Sequence, residues 1–467
     1  MNYYHYIQIL PETFYIISLL SLLLLGIVLN YRAINLLALG CTAVTFIMLV
    51  STAQNNEIFL FNSLLKLNLY IRSAQALILA AGIAILLLLN LSKYNYKYEF
   101  SILILFALFG MITLVSANSL ISFYLAFELM SISLYVLACF NRDSLYSCEA
   151  GVKYFTLGAL SSCIMLYGMS LLYGYTGQTN FSELSIFLLN NQINYGVIFG
   201  LIFIFVGLCF KLAIAPFHMW APDVYQGAPT IVNAFFSTAP KAALIAFLVR
   251  FVNEGLVSIE KYVQPIFLYV SVLSVLISAL GALRQRNLKR LFAYSSIGHA
   301  GYILAALSIF QQTGVDSALV YLVVYIITNI GIFAYLIQMD DDDCNIANLS
   351  GFGKKQPVLA FCLSILLFSM MGIPPLAGFF TKFFIFKSLI HSGFIALSLV
   401  LVVASVVSCY YYLNIIKVMY FDKSHSSNEV ANSNRGLSFV MMVISLINII
   451  LFICIKDFYS LVHLLIN

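Results

Sequence analysis

Fourteen runs of apolar residues, each of about the length that crosses a bilayer, follow one another through 467 residues with little between them. They fall at 11-29, 33-52, 74-91, 99-116, 119-140, 148-173, 196-219, 228-252, 262-283, 289-309, 315-339, 357-391, 394-420 and 437-455. A hydrocarbon layer of about 30 Å takes about 20 apolar residues to span, so this pattern predicts a polytopic membrane protein. Lipid offers no water to satisfy backbone amides, and the sequence lacks the alternating ten-residue pattern of a β-barrel. The expected fold is therefore all-α, with about 14 transmembrane helices. Composition excludes a soluble core: 62% of the residues are hydrophobic, 9% are charged, and mean hydropathy is +1.00.

The first run follows "YYHYIQILPE", which has neither a basic leader nor a small-residue cleavage site, so a retained helix is expected rather than a signal peptide. Nine cysteines are scattered singly, without CxxC or histidine pairing, and read as small packing residues; no metal site is expected. A net charge of +5 gives no reason to invoke nucleic acid. With the N-terminus outside, the inner loops collect Arg32, Lys93, Lys97, Arg142, Arg284, Arg286, Lys289, Arg290, Lys354, Lys355, Lys423 and Arg435. The outer loops and ends keep only Lys66, Arg72, Lys261 and Lys456, so both termini are expected on the outer, periplasmic side. Loops are short apart from 53-73, 174-195, 340-356 and 421-436, which leaves one bundle and no appended soluble domain. The acidic run Asp340 to Asp343 reads as a solvated inner loop, with a docking surface as the sharper alternative.

Five ionisable residues then stand out well inside apolar runs: Glu128, Lys153, Lys211, Lys241 and Lys382. A charge at the bilayer centre costs about 2.5 to 3.5 kcal/mol on insertion scales, so such groups face a wet cavity or a partner. Lys153 lies close enough to a helix end to snorkel to a headgroup. Glu128 and Lys241 lie deeper, and for them the structural alternative is a buried ion pair. Burial disfavours the charged form of either group and an opposite charge favours it, so a pair of this kind can pass a proton when its surroundings change.

Two runs contain breaks. Pro216 interrupts the seventh, shortly after Lys211, in "FKLAIAPFHMW"; "MGIPPLAGFFTK" interrupts the twelfth, shortly before Lys382. Breaks at corresponding places of two halves point to an ion site in a transporter built from repeats. The chain divides on this reading into 1-95 (helices 1-3), 96-253 (helices 4-8), 254-420 (helices 9-13) and 421-467 (an inner loop and helix 14). Five is odd, so the two five-helix repeats are inverted, with helices 7 and 12 broken. His218 and His299 lie near the expected polar paths and are possible members of a relay. Ser295, Ser296, Thr328 and Asn329 are candidates to hold bridging water or to pack helix interfaces.

The stretch "PFHMWAPDVYQGAPT", with "ILPE", "FELMSISLYVL", "RQRNLKRLFAYSSIGHAGY" and "GIPPLAGFFTKF", resembles the antiporter-like membrane subunits of respiratory complex I, and the wording "DVYQGAP" is similar to subunit N. The resemblance spans nearly the whole chain. It implies that Glu128 is the acidic partner on helix 5, Lys153 the modulating lysine of helix 6, Lys211 the lysine of broken helix 7, Lys241 the central lysine of helix 8, and Lys382 the terminal lysine of broken helix 12. It also implies no cofactor in this chain: NAD(H), FMN, iron-sulfur clusters and quinone belong to other subunits. Neighbours would be the antiporter-like subunit M and small subunits such as K and J, within the lipid of a bacterial inner (plasma) membrane. The implied function is proton translocation driven by electron transfer elsewhere in an NADH:quinone oxidoreductase. Two alternatives stay open, a standalone cation/proton antiporter of Mrp type and a non-conducting structural anchor.

Overall fold

The computed structural model describes every residue except 1-2, 55, 192, 256-258, 340-343, 424-433 and 467, so the acidic run Asp340 to Asp343 lies outside the described residues. The chain opens with α1 (Tyr3–Leu25), α2 (Tyr31–Ser51) and α3 (Leu69–Leu91), and a short antiparallel hairpin of β1 (Ile58–Leu60) and β2 (Leu65–Leu67) stands between the last two. There follow α4 (Glu99–Ser116), α5 (Leu120–Ala138), α6 (Leu145–Thr176), the short α7 (Phe181–Asn190), α8 (Tyr195–Lys211), α9 (Trp220–Gly227), α10 (Thr230–Phe236) and α11 (Ala239–Arg250). The second half holds α12 (Glu260–Ala282), α13 (Leu288–Leu307), α14 (Gln312–Leu336), α15 (Phe352–Lys355), α16 (Pro357–Met371), α17 (Ala377–His391) and α18 (Ile395–Phe421). The chain closes with α19 (Arg435–Ile453) and α20 (Ile455–Ile466).

Among the described residues, eleven helical stretches are long and apolar enough to cross a membrane. The other three expected runs are present in altered form. Runs 7 and 12 are split into shorter rods, and α13, which occupies run 10, carries Lys289, Arg290 and His299. The same neighbours recur in both halves: α4 packs on α5 and α11, α5 on α6, and α6 on α8, while α12 packs on α13 and α18, α13 on α14, and α14 on α16 and α17. This recurrence is the packing signature of a five-helix unit used twice.

Several expectations need correction. The first helix begins at Tyr3 and carries Pro11 within it, so "YIQILPE" is helical rather than a lead-in. The loop 53-73 holds the hairpin, and Lys66 there is buried between Glu57 (2.7 Å) and Glu254 (3.1 Å). Arg72 is not a loop charge either. It lies in α3, 2% exposed, and donates to Glu12 at 2.5 Å and Gln75 at 3.0 Å. Arg250, 4% exposed, bonds Glu254, the Val115 carbonyl and Asn118. Lys289, assigned to an inner loop, is 1% exposed and donates to the Ala228 carbonyl. Charge counting sees these cations as solvated because their carboxylates and carbonyls arrive from distant parts of the chain.

A close helix contact joins α6 and α8. A Cβ on Gly168 would stand 2.5 Å from the Gly200 carbonyl oxygen, and one on Gly200 would stand 2.8 Å from that of Gly168. Small residues permit such approach where lipid supplies no hydrophobic drive between helices. Gly168→Ala is therefore expected to destabilise the protein by about 1 to 3 kcal/mol through overpacking. The check is the melting temperature in detergent, with Gly40→Ala, whose Cβ meets nothing within 4 Å, as the unaffected reference.

Candidate functional site: buried lysines at helix breaks

Three of the five singled-out charges end up deep in the protein: Lys211 is 6% exposed, Lys241 4% and Lys382 6%. Each sits at an interruption of its rod. Lys211 is the last residue of α8, after which the chain turns through 212-219 before α9 begins at Trp220. Within that turn Ala213 adopts a left-handed φ of 56°, which costs a non-glycine residue of order 1 to 3 kcal/mol and persists only when surrounding structure enforces it. The second expected break runs from Gly372, left-handed at φ 85°, to Leu376, and Lys382 lies in the following half-helix.

A third break was not expected. Run 8 is not one helix: α10 ends at Phe236, Ser237 and Thr238 intervene, and α11 starts at Ala239 with Pro240 in its first turn. Proline suits that place because its missing N–H and fixed φ cost nothing there. The freed hydroxyl of Thr238 turns back to the carbonyls of Ala234 and Phe235. Lys241 therefore stands in the first turn of a new helix rather than midway along an old one. The signal was present in "STAPKAAL", a polar pair followed by proline, and is the usual mark of a helix start.

The lysine partners are all neutral. Lys211 Nζ donates to Tyr135 Oη at 2.8 Å and lies 4.0 Å from the centre of that ring, with Tyr154 at 4.9 Å and Phe127 at 5.7 Å. Lys241 Nζ donates to the carbonyl and the hydroxyl of Ser296, both at 2.7 Å, and to Tyr325 Oη at 3.4 Å. Lys382 Nζ reaches back across its own break to the Met371 carbonyl at 2.7 Å and lies 5.3 Å from the Tyr302 ring centre. Ring faces and helix C-terminal carbonyls both favour a cation. The buried ion pair considered for Glu128 and Lys241 is not formed. Oε1 of Glu128 is buried and has no hydrogen-bond partner among the described residues.

His299 joins two of these centres. Its Nδ1 is hydrogen-bonded to Tyr321 Oη at 2.6 Å and its Nε2 to Tyr412 Oη at 3.2 Å, while Tyr412 meets Ser295 Oγ at 2.5 Å. Its ring lies 5.0 Å from that of Tyr325, the hydroxyl that accepts from Lys241. On the other side a cavity of ≈ 10 Å³ is lined by His299, Ser295, Tyr302, Tyr412 and Lys382. That is the lower edge of the room one water needs, in a polar lining that would bind it. Lys241, His299 and Lys382 thus form one polar tract. Lys211 belongs to a separate group, and ring contacts continue from Tyr154 to Phe236 and Tyr225, on the helices leading to α11.

Two singled-out residues stand apart. Lys153 has a side chain 41% exposed and pairs with Glu149 at 2.7 Å and Asp223 at 2.9 Å; Asp223 also takes Arg290 at 2.8 Å. It is therefore a partly exposed charge in an ionic cluster, not a deep lysine. His218 is 6% exposed, and its Nδ1 has no partner among the described residues. Of the four polar candidates, Ser295 and Ser296 serve the tract, whereas Thr328 bonds Val324 and Asn448, and Asn329 bonds the Tyr325 carbonyl. The tyrosines Tyr135, Tyr321, Tyr325 and Tyr412 went unnoticed in the sequence. Tyr135 follows Glu128 by seven residues and so shares its helix face, which is the one sequence signal that marks it; the other three are lost among 30 tyrosines.

Residues 117–408 match the family model described as NADH:quinone oxidoreductase/Mrp antiporter, TM. NADH-quinone oxidoreductase subunit N of Wolbachia sp. subsp. Brugia malayi (strain TRS) is 74% identical over 460 residues, 98% of this chain and 98% of that one. A chain of respiratory complex I from Thermus thermophilus with bound aureothin aligns at a TM-score of 0.83 and 29% identity, covering 96% of this chain and 98% of its own. A chain of the Mrp complex from Dietzia sp. DQ12-45-1b aligns at a TM-score of 0.87 over 100% of this chain and 97% of its own, at 19% identity, a likeness of fold alone. With buried lysines at helix breaks, a five-helix unit used twice and these relatives, the chain belongs to the NADH:quinone oxidoreductase/Mrp antiporter transmembrane family, in its NADH-quinone oxidoreductase subunit N branch.

Proposed function

We propose that the chain translocates protons within a bacterial NADH:quinone oxidoreductase, using Lys211, Lys241 and Lys382 as successive proton carriers. The observation that carries the reading is the neutrality of their surroundings: each buried amine is held by hydroxyls, carbonyls and ring faces and by no carboxylate within 4.0 Å among the described residues. An ammonium locked to a carboxylate at contact distance keeps its proton, because breaking a buried pair costs about 3 to 5 kcal/mol. An amine with neutral partners responds instead to distant charge, since a low-dielectric interior screens little. Glu128 is the source of such a charge. Its unpartnered oxygen lies on α5, on the helix face that also carries Tyr135, whose hydroxyl accepts from Lys211.

The proton order on this reading runs from the Glu128 and Lys211 group to Lys241 and then through His299 and its tyrosines to Lys382. Lys153 tunes the first step at a distance from the bundle edge, and His218 is an accessory polar group of the first broken rod. NADH oxidation by FMN and iron-sulfur clusters and the reduction of quinone take place in other subunits, and the trigger is their electrostatic effect on Glu128. The neighbours would be the antiporter-like subunit M and small subunits such as K and J, in the plasma membrane with both termini outside.

Replacing Lys241 by alanine in the whole complex is expected to lower NADH-driven proton uptake into inside-out vesicles by about ten-fold or more, the loss of charge-assisted hydrogen bonds worth about 1.5 to 3 kcal/mol. Normal uptake with normal assembly would refute the relay and leave the anchor role. Tyr135→Phe removes only the acceptor of Lys211 and is expected to slow coupled quinone reduction by about three- to ten-fold, the equivalent of one hydrogen bond of about 0.5 to 1.5 kcal/mol, without reducing the amount of complex on native gels.

A further inference from the structure

We propose that Asn448 is a positioning residue for Lys382, acting from a helix that lies outside both five-helix units; this rests on reading Lys382 as a proton carrier. Asn448 is 0% exposed in α19, near the middle of an apolar helix. An amide costs free energy there unless its hydrogen bonds are made. Its Oδ1 accepts from Ser369 Oγ at 2.9 Å and from Thr328 Oγ1 at 3.1 Å, and its Nδ2 donates to the Ile444 carbonyl at 3.2 Å. One oxygen thus ties α19 to α14 and to the last turn of α16.

The connection continues into the break. Ser369 Oγ, which donates to Asn448, accepts from the Gly378 N–H at 3.3 Å, and Gly378 is the second residue of α17. The two halves are in close contact there, since a Cβ on Gly378 would fall 1.7 Å from the Ser369 carbonyl oxygen. The Met371 carbonyl that holds the Lys382 amine belongs to the same end of α16, two residues beyond Ser369. A directed chain therefore runs from the α17 amide through Ser369 to the Asn448 oxygen, and it sets the separation across which Lys382 reaches its acceptor. Without Asn448 the two half-helices remain joined by the turn 372-376, and the 2.7 Å contact of the amine loses its outside reference. Nothing else in the described part of α19 is a buried amide, and the helix packs against α14, α16 and α17 at this level.

Leucine is nearly isosteric with asparagine but has no acceptor, whereas glutamine keeps the acceptor and is too long for the site. In the whole complex, in membrane vesicles, Asn448→Leu is expected to lower NADH-driven proton uptake by about five-fold or more, while Asn448→Gln keeps more activity than Asn448→Leu. Packing alone predicts the opposite order, so a leucine variant as active as the glutamine variant, or more active, overturns the proposal. Ser369→Ala removes one hydroxyl, carries the same test should Asn448→Leu fail to assemble, and is expected to slow uptake alone about as much as it does together with Asn448→Leu; full additivity of the two overturns the shared chain. Lys382→Met is measured alongside. If Lys382→Met pumps normally, the carrier reading falls and the positioning role with it; if Lys382→Met is impaired while Asn448→Leu and Ser369→Ala are fully active, only the positioning role falls.

Discussion

A backbone in hydrocarbon must satisfy its own hydrogen bonds, and the rest of this structure depends on where that condition is relaxed. Every interruption of a rod frees carbonyls and amides that have to be met from inside the protein. At the first break the turn from Leu212 to Met219 is packed under Trp220, whose Nε1 donates to the Phe210 carbonyl. At the break before Lys241, Thr238 serves its own preceding turn. At the third, a lysine amine and a serine hydroxyl do the work on either side of Gly372. Breaks thus free polar backbone inside the protein, and the lysines sit beside it.

The chain holds two kinds of buried cation. Arg72 with Glu12, and Lys66 and Arg250 with Glu254, are paired to carboxylates at 2.5 to 3.1 Å. Such pairs are fixed points: separating either partner leaves a bare charge in a poor solvent, so they resist rearrangement and mark the α1–α3 side and the hairpin as rigid. Among the described residues, Lys211, Lys241 and Lys382 are met by hydroxyls, carbonyls and ring faces. Dipoles solvate an ammonium without committing it to one protonation state. The paired cations join α1 to α3 and the hairpin to the end of α11, while the lysines with neutral partners lie beside the breaks of the two repeated units.

The helices outside those units complete the arrangement. Asn448 of α19 reaches the twelfth rod at its break, and α20 covers the same rod from another side through the contact of Tyr459 with Phe384, at 4.8 Å between ring centres. His463 of α20 meets Asp316 in the first turns of α14 at 2.7 Å. The half-helix that carries Lys382 is therefore held by elements that lie outside the two repeated units. A duplicated unit can supply lysines at equivalent places and still give them unequal neighbours.

Much of this was legible in the residues. Apolar runs of bilayer length dictate helices wherever they occur, because lipid permits little else, and Pro216 and the "GIPP" stretch announce their breaks through missing N–H groups and a glycine at positive φ. Glu128, Lys211, Lys241 and Lys382 stood out because charge in oil is expensive regardless of context. What the residues could not reveal was pairing. Arg72 and Lys289 read as loop charges, and Lys153 as a charge within an apolar run able to snorkel, because exposure and pairing depend on which helices lie alongside. The break at Thr238 passed for helix interior, since a proline in a first turn and one in a middle turn are the same letter. The tyrosines and the amide that surround the lysines come from α5, α13, α14, α18 and α19, up to 120 residues from their partners. Local sequence determined which segments are helical and which charges are costly; only the packing of distant helices decided which of those charges meet a carboxylate and which are left to dipoles.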